Sequence, residues 1–442
     1  MSGLVIVGAI VGLLYAARSF VPDGADAPRV GTTTLAFGFV LLVSFFAGRV
    51  VERLSVPKVT GYLVVGIVVG PHVLGLVTER MVDALLLVDG VAICLIALTA
   101  GGELSFRRMK PLLRTIRSMM LWGVLGTAVA LSVLIYAIRP LVPFLADLDQ
   151  LAAVAVSAVL GITLASQSPA VVQALLNETR SDGPLSKTML AVVVIADLVV
   201  ILLYAIASSV ANTFLGGEAD PVAVVLLLGW ELVGSVLIGA ALGAVLSLYL
   251  RRVTRGASLF VLLVCIVTEE VGRRAHLDPL IVMLTAGVFL ENMTEAEADV
   301  LIHDIEGASL PIYVIFFAVA GAALDLRIIA AVAIPAAIIS VARALFMWAG
   351  CTLGGKRTNA APEVTRYAWL GLLPQAGLAL ALALLFERSM PSIGAEAGAL
   401  VLGVVAINQV ITPVFVRVGL VRSGEAGKKL SKDFGEVTAE ET

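Results

Sequence analysis

Residues Thr163 to Asn212 read TLASQSPAVVQALLNETRSDGPLSKTMLAVVVIADLVVILLYAIASSVAN. Two apolar segments flank a polar turn, and each contains a feature that is costly inside a membrane. Pro169 interrupts the first segment, because proline removes a helix hydrogen bond and collides with the preceding turn. Asp197 stands alone in the second segment, where a charged side chain costs about 2.5–3.5 kcal/mol on insertion scales. Because secondary transporters combine broken helices with intramembrane ion sites, the stretch predicts an ion-binding site.

The composition of the whole chain is that of a polytopic membrane protein. Of its 442 residues, 60% are hydrophobic and 14% are charged, whereas a soluble domain is about a quarter charged. The sequence has no basic patch with interleaved aromatic residues, no metal-ligand spacing and no nucleophile–base pair, so we expect no nucleic acid partner, no cofactor and no enzymatic activity. Cys94, Cys265 and Cys351 lie in separate apolar runs and are expected to be buried free thiols.

Apolar runs long enough to cross a bilayer predict an all-α protein with about fourteen transmembrane helices. The runs cover residues 3–21, 33–52, 59–77, 83–103, 117–138, 151–177, 187–212, 222–250, 257–273, 278–293, 309–326, 329–353, 366–387 and 395–418. With a cytoplasmic N-terminus, most Lys and Arg fall in cytoplasmic loops; the acidic loop 291–306 is the exception. Both termini are therefore predicted to be cytoplasmic.

The two ends of the chain are predicted to differ from its main part. Residues 1–32 would form an additional N-terminal transmembrane helix and an external loop, and a signal peptide is the alternative for the first apolar run. Residues 33–420 would form the main transmembrane domain. Residues 421–442 are short and charged, which predicts a cytoplasmic tail that is disordered or a short helix.

An internal repeat is visible seven segments apart. Pro169 breaks segment 151–177, and Pro374 breaks the corresponding segment 366–387. The following segment carries Asp197 in the first half of the chain and Asn408 with Gln409 in the second. Paired interrupted segments at matching positions indicate an inverted repeat, with the binding site where the two halves meet.

Polar residues beside the first break are candidate supports for the ion site. Ser166, Gln167 and Ser168 precede Pro169 and could supply hydroxyl, amide and freed carbonyl oxygens to a cation. They could instead be hydrogen-bonding residues between membrane helices. The carboxylate of Asp197 is a hard oxygen ligand that can hold a monovalent cation, Na⁺ or K⁺, and it can equally hold a proton.

Three further charged residues could act with Asp197. Arg343 lies in the middle of an apolar run and keeps its proton under ordinary conditions. It could balance Asp197, brace the end of a broken helix, or hold one of two neighbouring acids, Glu269 and Glu270. Those two residues could also line a wet entrance, and if either reaches the site it is a candidate second proton carrier.

Six motifs in order resemble the monovalent cation/proton antiporters, most closely the bacterial sodium/proton and potassium/proton exchangers. The motifs are GYLVVGIVVGPHVLGL (61–76), LTAGGELSFRRMK (98–110), SQSPAVVQALLNE (166–178), VVIADLVVILL (193–203), LPIYVIFFAVAGAALDL (310–326) and LLPQAGLALAL (372–382). The resemblance implies a homodimer in the bacterial inner membrane. It also implies a dimerisation subdomain beside a six-helix core, in which two broken helices cross next to the ion site.

The chain departs from that family's usual pattern at several site positions. Ala196 stands where electrogenic members carry a second acidic residue, and Gln167 stands where threonine is common. Pro374 is followed by Gln375 in a stretch that usually carries a glutamate, and Arg343 replaces a frequent lysine. Because Ala196 has no titratable group and Arg343 keeps its proton, we expect electroneutral exchange of one cation for one proton. The expected mechanism is alternating access, and the choice between Na⁺ and K⁺ stays open. Val193, one turn before Asp197, offers no oxygen and slightly favours K⁺.

Three other functions fit the same segments. A gated cation channel could use the same helices, and a sodium-coupled organic anion symporter shares a similar helix plan. A subunit of a larger membrane complex that does not itself transport is the third alternative. The symporter would need several polar groups around its solute, and the sequence offers a sparse polar set.

Overall fold

The computed structural model describes residues 29–53, 56–215, 221–250, 257–293, 310–324, 326–390 and 392–428. The main helices are α1 (Arg29–Glu52), α2 (Lys58–Val69), α3 (Glu79–Gly102), α4 (Lys110–Ala137), α5 (Gln150–Leu164), α6 (Pro169–Thr179), α7 (Pro184–Phe214), α8 (Pro221–Leu250), α9 (Ala257–Ala275), α10 (Pro279–Met293), α11 (Leu310–Ala322), α12 (Ala333–Arg357), α13 (Pro362–Gly371), α14 (Gly377–Ser389) and α15 (Gly394–Arg422). Short helical turns connect them at Phe106–Met109, Arg139–Leu141, Pro143–Ala146 and Leu326–Ala331. No strand occurs in these described ranges.

The predicted all-α membrane fold is confirmed over the described residues. Every predicted segment from 33–52 onward corresponds to a helix or to a broken pair of helices, while segment 3–21 lies outside the described residues. Six helices in the described part are long and apolar enough to span a membrane. Several carry exposed apolar side chains along one face, such as Leu202 and Ile206 on α7 or Leu237 and Leu248 on α8. Apolar faces of this kind are suited to contact with lipid.

Two predicted segments end earlier than their hydropathy indicates. Segment 59–77 is helical only to Val69, and Gly70 turns the chain into an extended conformation with ψ 175°. Pro71 follows, and proline disfavours the helical conformation of the residue before it. Segment 309–326 likewise divides into α11 and the separate short helix Leu326–Ala331.

The helices form two groups, and each group obeys the repeat. In the first group, called here the scaffold helices, α2 packs on α11 and α3 packs on α10. The repeat relates α2 to α10 and α3 to α11, so these are two copies of one contact. Glycines allow the close approach in both copies. Between α2 and α11, a Cβ atom at Gly66 or Gly321 would collide with the backbone of the facing helix. Between α3 and α10, a Cβ atom at Gly101 or Gly287 would do the same. Helix α1 packs on α2 and α11, as α9 packs on α10 and α3.

The second group, the core helices α4–α7 and α12–α15, holds the broken helices. Helix α4 packs on α12 through Gly123 and Gly350, and it contains a π-helical turn at Met120–Leu125. Helix α7 packs on α5, α6, α13 and α14, and α15 packs on α6, α12, α13 and α14. Helix α8 lies between the groups, against α7 on one side and α10 on the other. The three cysteines are buried free thiols, as predicted.

Candidate functional site

The first break spans residues 165–168, between α5 and α6. Pro169 is the first residue of α6, a position where its missing N–H costs no helix hydrogen bond. The hydroxyl of Ser168 caps α6 by accepting from the Val171 N–H at 3.3 Å. Ser166 donates its hydroxyl proton to the carbonyl of Thr163 at 2.7 Å. Both hydroxyl oxygens keep a lone pair, since each has two.

The second break spans residues 372–376, between α13 and α14, and it is bonded directly to the first. The side-chain amide of Gln375 donates to the Leu164 carbonyl, at the end of α5, over 3.0 Å. Its amide oxygen accepts from Asn408 of α15 at 2.7 Å. Pro374 and Gln375 are both buried. The structure therefore brings the two predicted broken helices together through one glutamine side chain.

Arg343 of α12 lies between the breaks and is completely buried, with 0% of its surface exposed. Its guanidinium donates to the carbonyls of Leu164 (2.7 Å) and Ser166 (2.8 Å) in the first half of the repeat. It also donates to the carbonyls of Leu372 (3.0 Å) and Leu373 (2.6 Å) in the second half. The last carbonyls of a helix have no partner within it and carry its partial negative charge. The planar guanidinium thus neutralises the C-terminal ends of α5 and α13 together.

Asp197 lies on α7, the helix that packs against both broken helices. Only 4% of its surface is exposed. Its Oδ1 atom has no hydrogen-bond partner among the described residues, and the same holds for Oε1 of Gln167 in the first break. A buried polar oxygen without a partner is rare and calls for an explanation, and an ion is one of them. Ala196, which precedes Asp197, is fully buried and offers no titratable group.

The two candidate second proton carriers lie on α9, which packs on α3 and α10. The guanidinium of Arg274 donates to Glu270 at 2.7 Å, and this pair faces outward. The carboxyl group of Glu269 lies over Gly90 of α3, where a Cβ atom would collide with it. Glu269 therefore contacts α3, and Glu270 pairs with a residue of its own helix.

Asp278 connects α10 to α8, and the sequence does not single it out. It caps α10 by accepting from the N–H groups of Leu280 (2.8 Å) and Ile281 (3.3 Å), and its own N–H donates to Ser235 of α8 at 2.8 Å. Helix α8 in turn packs on α7, the helix that carries Asp197. An Asp-Pro pair before an apolar run is an ordinary helix-start signal, so the sequence gives no reason to expect the contact with α8.

Comparison with known proteins agrees with this architecture. The profile of the family described as sodium/hydrogen exchanger, transmembrane, matches residues 40–420. The structure of the sodium proton antiporter MjNhaP1 from Methanocaldococcus jannaschii at pH 8 is similar, with a TM-score of 0.66, 15% identity, and coverage of 89% of this chain and 99% of that chain.

An electron-microscopy map of the same antiporter gives a TM-score of 0.67 and 16% identity, over 91% of this chain and 97% of that chain. At such identities the likeness shows the fold, and it confirms the predicted antiporter fold with its inverted repeat. The profile match covers most of the chain and therefore shows the family to which the chain belongs. The chain belongs to the sodium/hydrogen exchanger family.

Proposed function

We propose that Asp197 is the group at which this cation/proton antiporter holds its cation and its proton in turn. The observation that carries the proposal is the buried Oδ1 atom of Asp197, which has no hydrogen-bond partner among the described residues and lies on the helix beside both breaks. A carboxylate in such a place is by default a functional group. Because one carboxylate cannot hold both a proton and a cation, competition between them would enforce exchange.

Gln167, Ser166 and Ser168 are the proposed supports of the cation. The Oε1 atom of Gln167 is buried and has no partner in the described part of the chain. The hydroxyl oxygens of Ser166 and Ser168 each keep a free lone pair beside it. Oxygen atoms of these kinds suit Na⁺ and K⁺ alike, so the contacts do not select between the two ions.

The proposed role of Arg343 is to brace the breaks and not to bind the transported ion. All four of its hydrogen bonds go to backbone carbonyls of the core helices. A permanent positive charge between the breaks offsets the partial negative charge of two helix ends. Asp197 can then exchange a proton for a cation while the charge of the surrounding helix ends stays constant.

The proposed movement is a displacement of the core helices against the scaffold helices, which carries Asp197 from one side of the membrane to the other. Two hydrogen bonds at the last turn of α6 cross between these groups. Glu178 accepts from the Lys58 N–H of α2 at 2.8 Å, and Asn177 donates to the Tyr313 hydroxyl of α11 at 3.3 Å. Single hydrogen bonds of this kind can be exchanged during a domain movement. A homodimer anchored through scaffold helices, with both termini cytoplasmic, completes the proposal.

Transport into proteoliposomes tests the role of Asp197. An imposed pH gradient should dissipate on addition of Na⁺, K⁺ or Li⁺ with the wild-type protein and should persist with Asp197→Asn. Asp149→Asn is the matched control, because Asp149 is exposed, caps α5 and accepts one N–H at 3.2 Å, which asparagine can also do. If Asp197→Asn dissipates the gradient as fast as the wild type, the proposal is wrong. Single-channel currents would indicate a channel instead.

A further inference from the structure

The chain beyond the last transmembrane helix folds back onto the helix that carries Asp197. Glu425 follows α15 by three residues, yet only 3% of its surface is exposed. Its carboxylate accepts from the Leu185 N–H at 2.7 Å and the Ser186 N–H at 2.8 Å. It also accepts from the Ser186 hydroxyl at 2.7 Å. One acidic side chain thus holds the first turn of α7 through three hydrogen bonds.

Helix α7 lacks a cap of its own, and Glu425 supplies one from elsewhere in the chain. The residue before the helix, Gly183, has no side chain that could accept a hydrogen bond. The first N–H groups of a helix have no partner within it and carry a partial positive charge. A Cβ atom at Gly183 would collide with the carboxyl group of Glu425. The glycine therefore makes room for a cap that arrives from α15.

Backbone bonds extend this contact to α6 and to the turn that joins it to α7. The Gly427 N–H donates to the Thr179 carbonyl at 2.9 Å, and the Asp182 N–H donates to the Glu425 carbonyl at 3.3 Å. Gly424 and Gly427 have φ of 72° and 81°, a region that glycine adopts without strain. Two glycines thus allow the chain to reverse after α15.

We propose that Glu425 is a positioning residue for transport. This proposal rests on the proposed role of Asp197. Glu425 ties the start of α7, in the first half of the repeat, to the end of α15, in the second half. Asp197 lies twelve residues along α7 from Leu185, or about 18 Å at the rise of an α-helix. A shift of α7 along its axis would move Asp197 relative to the oxygens of the first break by the same distance.

The apparent KM for the cation distinguishes positioning from simple stabilisation. KM does not depend on how much of the reconstituted protein is folded, whereas the maximal rate does. Glu425→Ala should raise the apparent KM for Na⁺ or K⁺ about tenfold, which corresponds to about 1.4 kcal/mol. Glu425→Gln, which keeps one acceptor oxygen and the same shape, should raise it less. Glu396→Ala is the control, since Glu396 is exposed at the other end of α15.

A second substitution separates the two effects of Glu425, which are the capping of α7 and the connection of α7 to α15. In the double variant Gly183→Asp with Glu425→Ala, the new carboxylate can cap α7 locally but cannot connect it to α15. We expect the melting temperature to recover while the KM remains high. Recovery of the KM would overturn the proposal, as would an unchanged KM in Glu425→Ala and Glu425→Gln. Asp197→Asn is measured in the same series: if it still transports, the proposed ion site fails, whatever Glu425 does.

Discussion

Replacing Arg343 by lysine keeps a positive charge between the breaks but removes the planar guanidinium group and its several N–H donors. The guanidinium donates to four carbonyls, those of Leu164, Ser166, Leu372 and Leu373. Lysine has three donors on a single atom, so at least one of the four hydrogen bonds made by Arg343 is lost, and the others must be made from a single point. Gln375 still donates to Leu164. The other three carbonyls have no second donor among the described residues.

The expected loss follows from the number of bonds. A hydrogen bond to a charged group contributes about 1.5–3 kcal/mol, so Arg343→Lys should destabilise the protein by at least about that amount. This is a large fraction of the roughly 5–15 kcal/mol that separates folded from unfolded domains. It should lower the melting temperature by several degrees.

Thermal unfolding of the purified protein in detergent, followed by tryptophan fluorescence, measures this effect. Arg274→Lys is the matched control, because the side chain of Arg274 is 78% exposed and pairs with Glu270 one turn away. Such surface pairs contribute about 0–1 kcal/mol, so the control should melt close to the wild type. If Arg343→Lys melts within a degree of the control, the guanidinium does not brace the breaks and our account of the site is wrong.

Three further predictions concern charge, movement and packing. Electroneutral exchange predicts that a valinomycin-clamped potential, worth about 2.3 kcal/mol per charge at 100 mV, leaves the initial rate unchanged, and a steady transport current on a solid-supported membrane would contradict it. Asn177→Ala and Glu178→Gln should change the maximal rate but not the apparent KM for the cation, because they weaken contacts of α6 with α11 and α2 and leave the proposed ion ligands untouched. A changed KM would count against a role of these contacts in movement. Gly66→Ala should destabilise by about 1–3 kcal/mol in thermal unfolding, while Gly38→Ala, where a Cβ meets nothing within 4 Å, should not; equal melting temperatures would refute the close contact.

The helices and their breaks could be predicted from sequence because their causes are local. Pro169 acts on its own helix through geometry, and an apolar run of membrane length needs no tertiary partner to be recognised. The same locality explains the misplaced helix end at Val69, where hydropathy continues through Gly70 and Pro71 although the helix does not. Hydropathy describes how apolar a stretch of sequence is. It does not show where the backbone leaves the helical conformation.

The partners of the site residues could not be predicted, because they are distant in sequence or are backbone atoms. The sequence leaves three roles open for Arg343, and bracing the end of a broken helix is one of them. It cannot show which carbonyls Arg343 binds, because every residue possesses one. Glu425 lies in a short charged segment that resembles a disordered tail, and the N–H groups it binds are about 240 positions earlier in the chain. Asp278 has the sequence signature of a helix cap, and the sequence does not show that its N–H donates to Ser235 of another helix.

The distribution of hydrogen bonds indicates which parts would move together. Arg343 and Gln375 join the two breaks, and Glu425 joins the end of α15 to the start of α7, so the described bonds of these residues lie within the core half of the structure. The side chains of Asn177 and Glu178, by contrast, reach across to the scaffold helices α11 and α2. A movement that preserved the first set and exchanged the second would transfer the ion site as a unit. The carbonyls that Arg343 and Gln375 bind at the breaks would then keep their partners throughout the cycle.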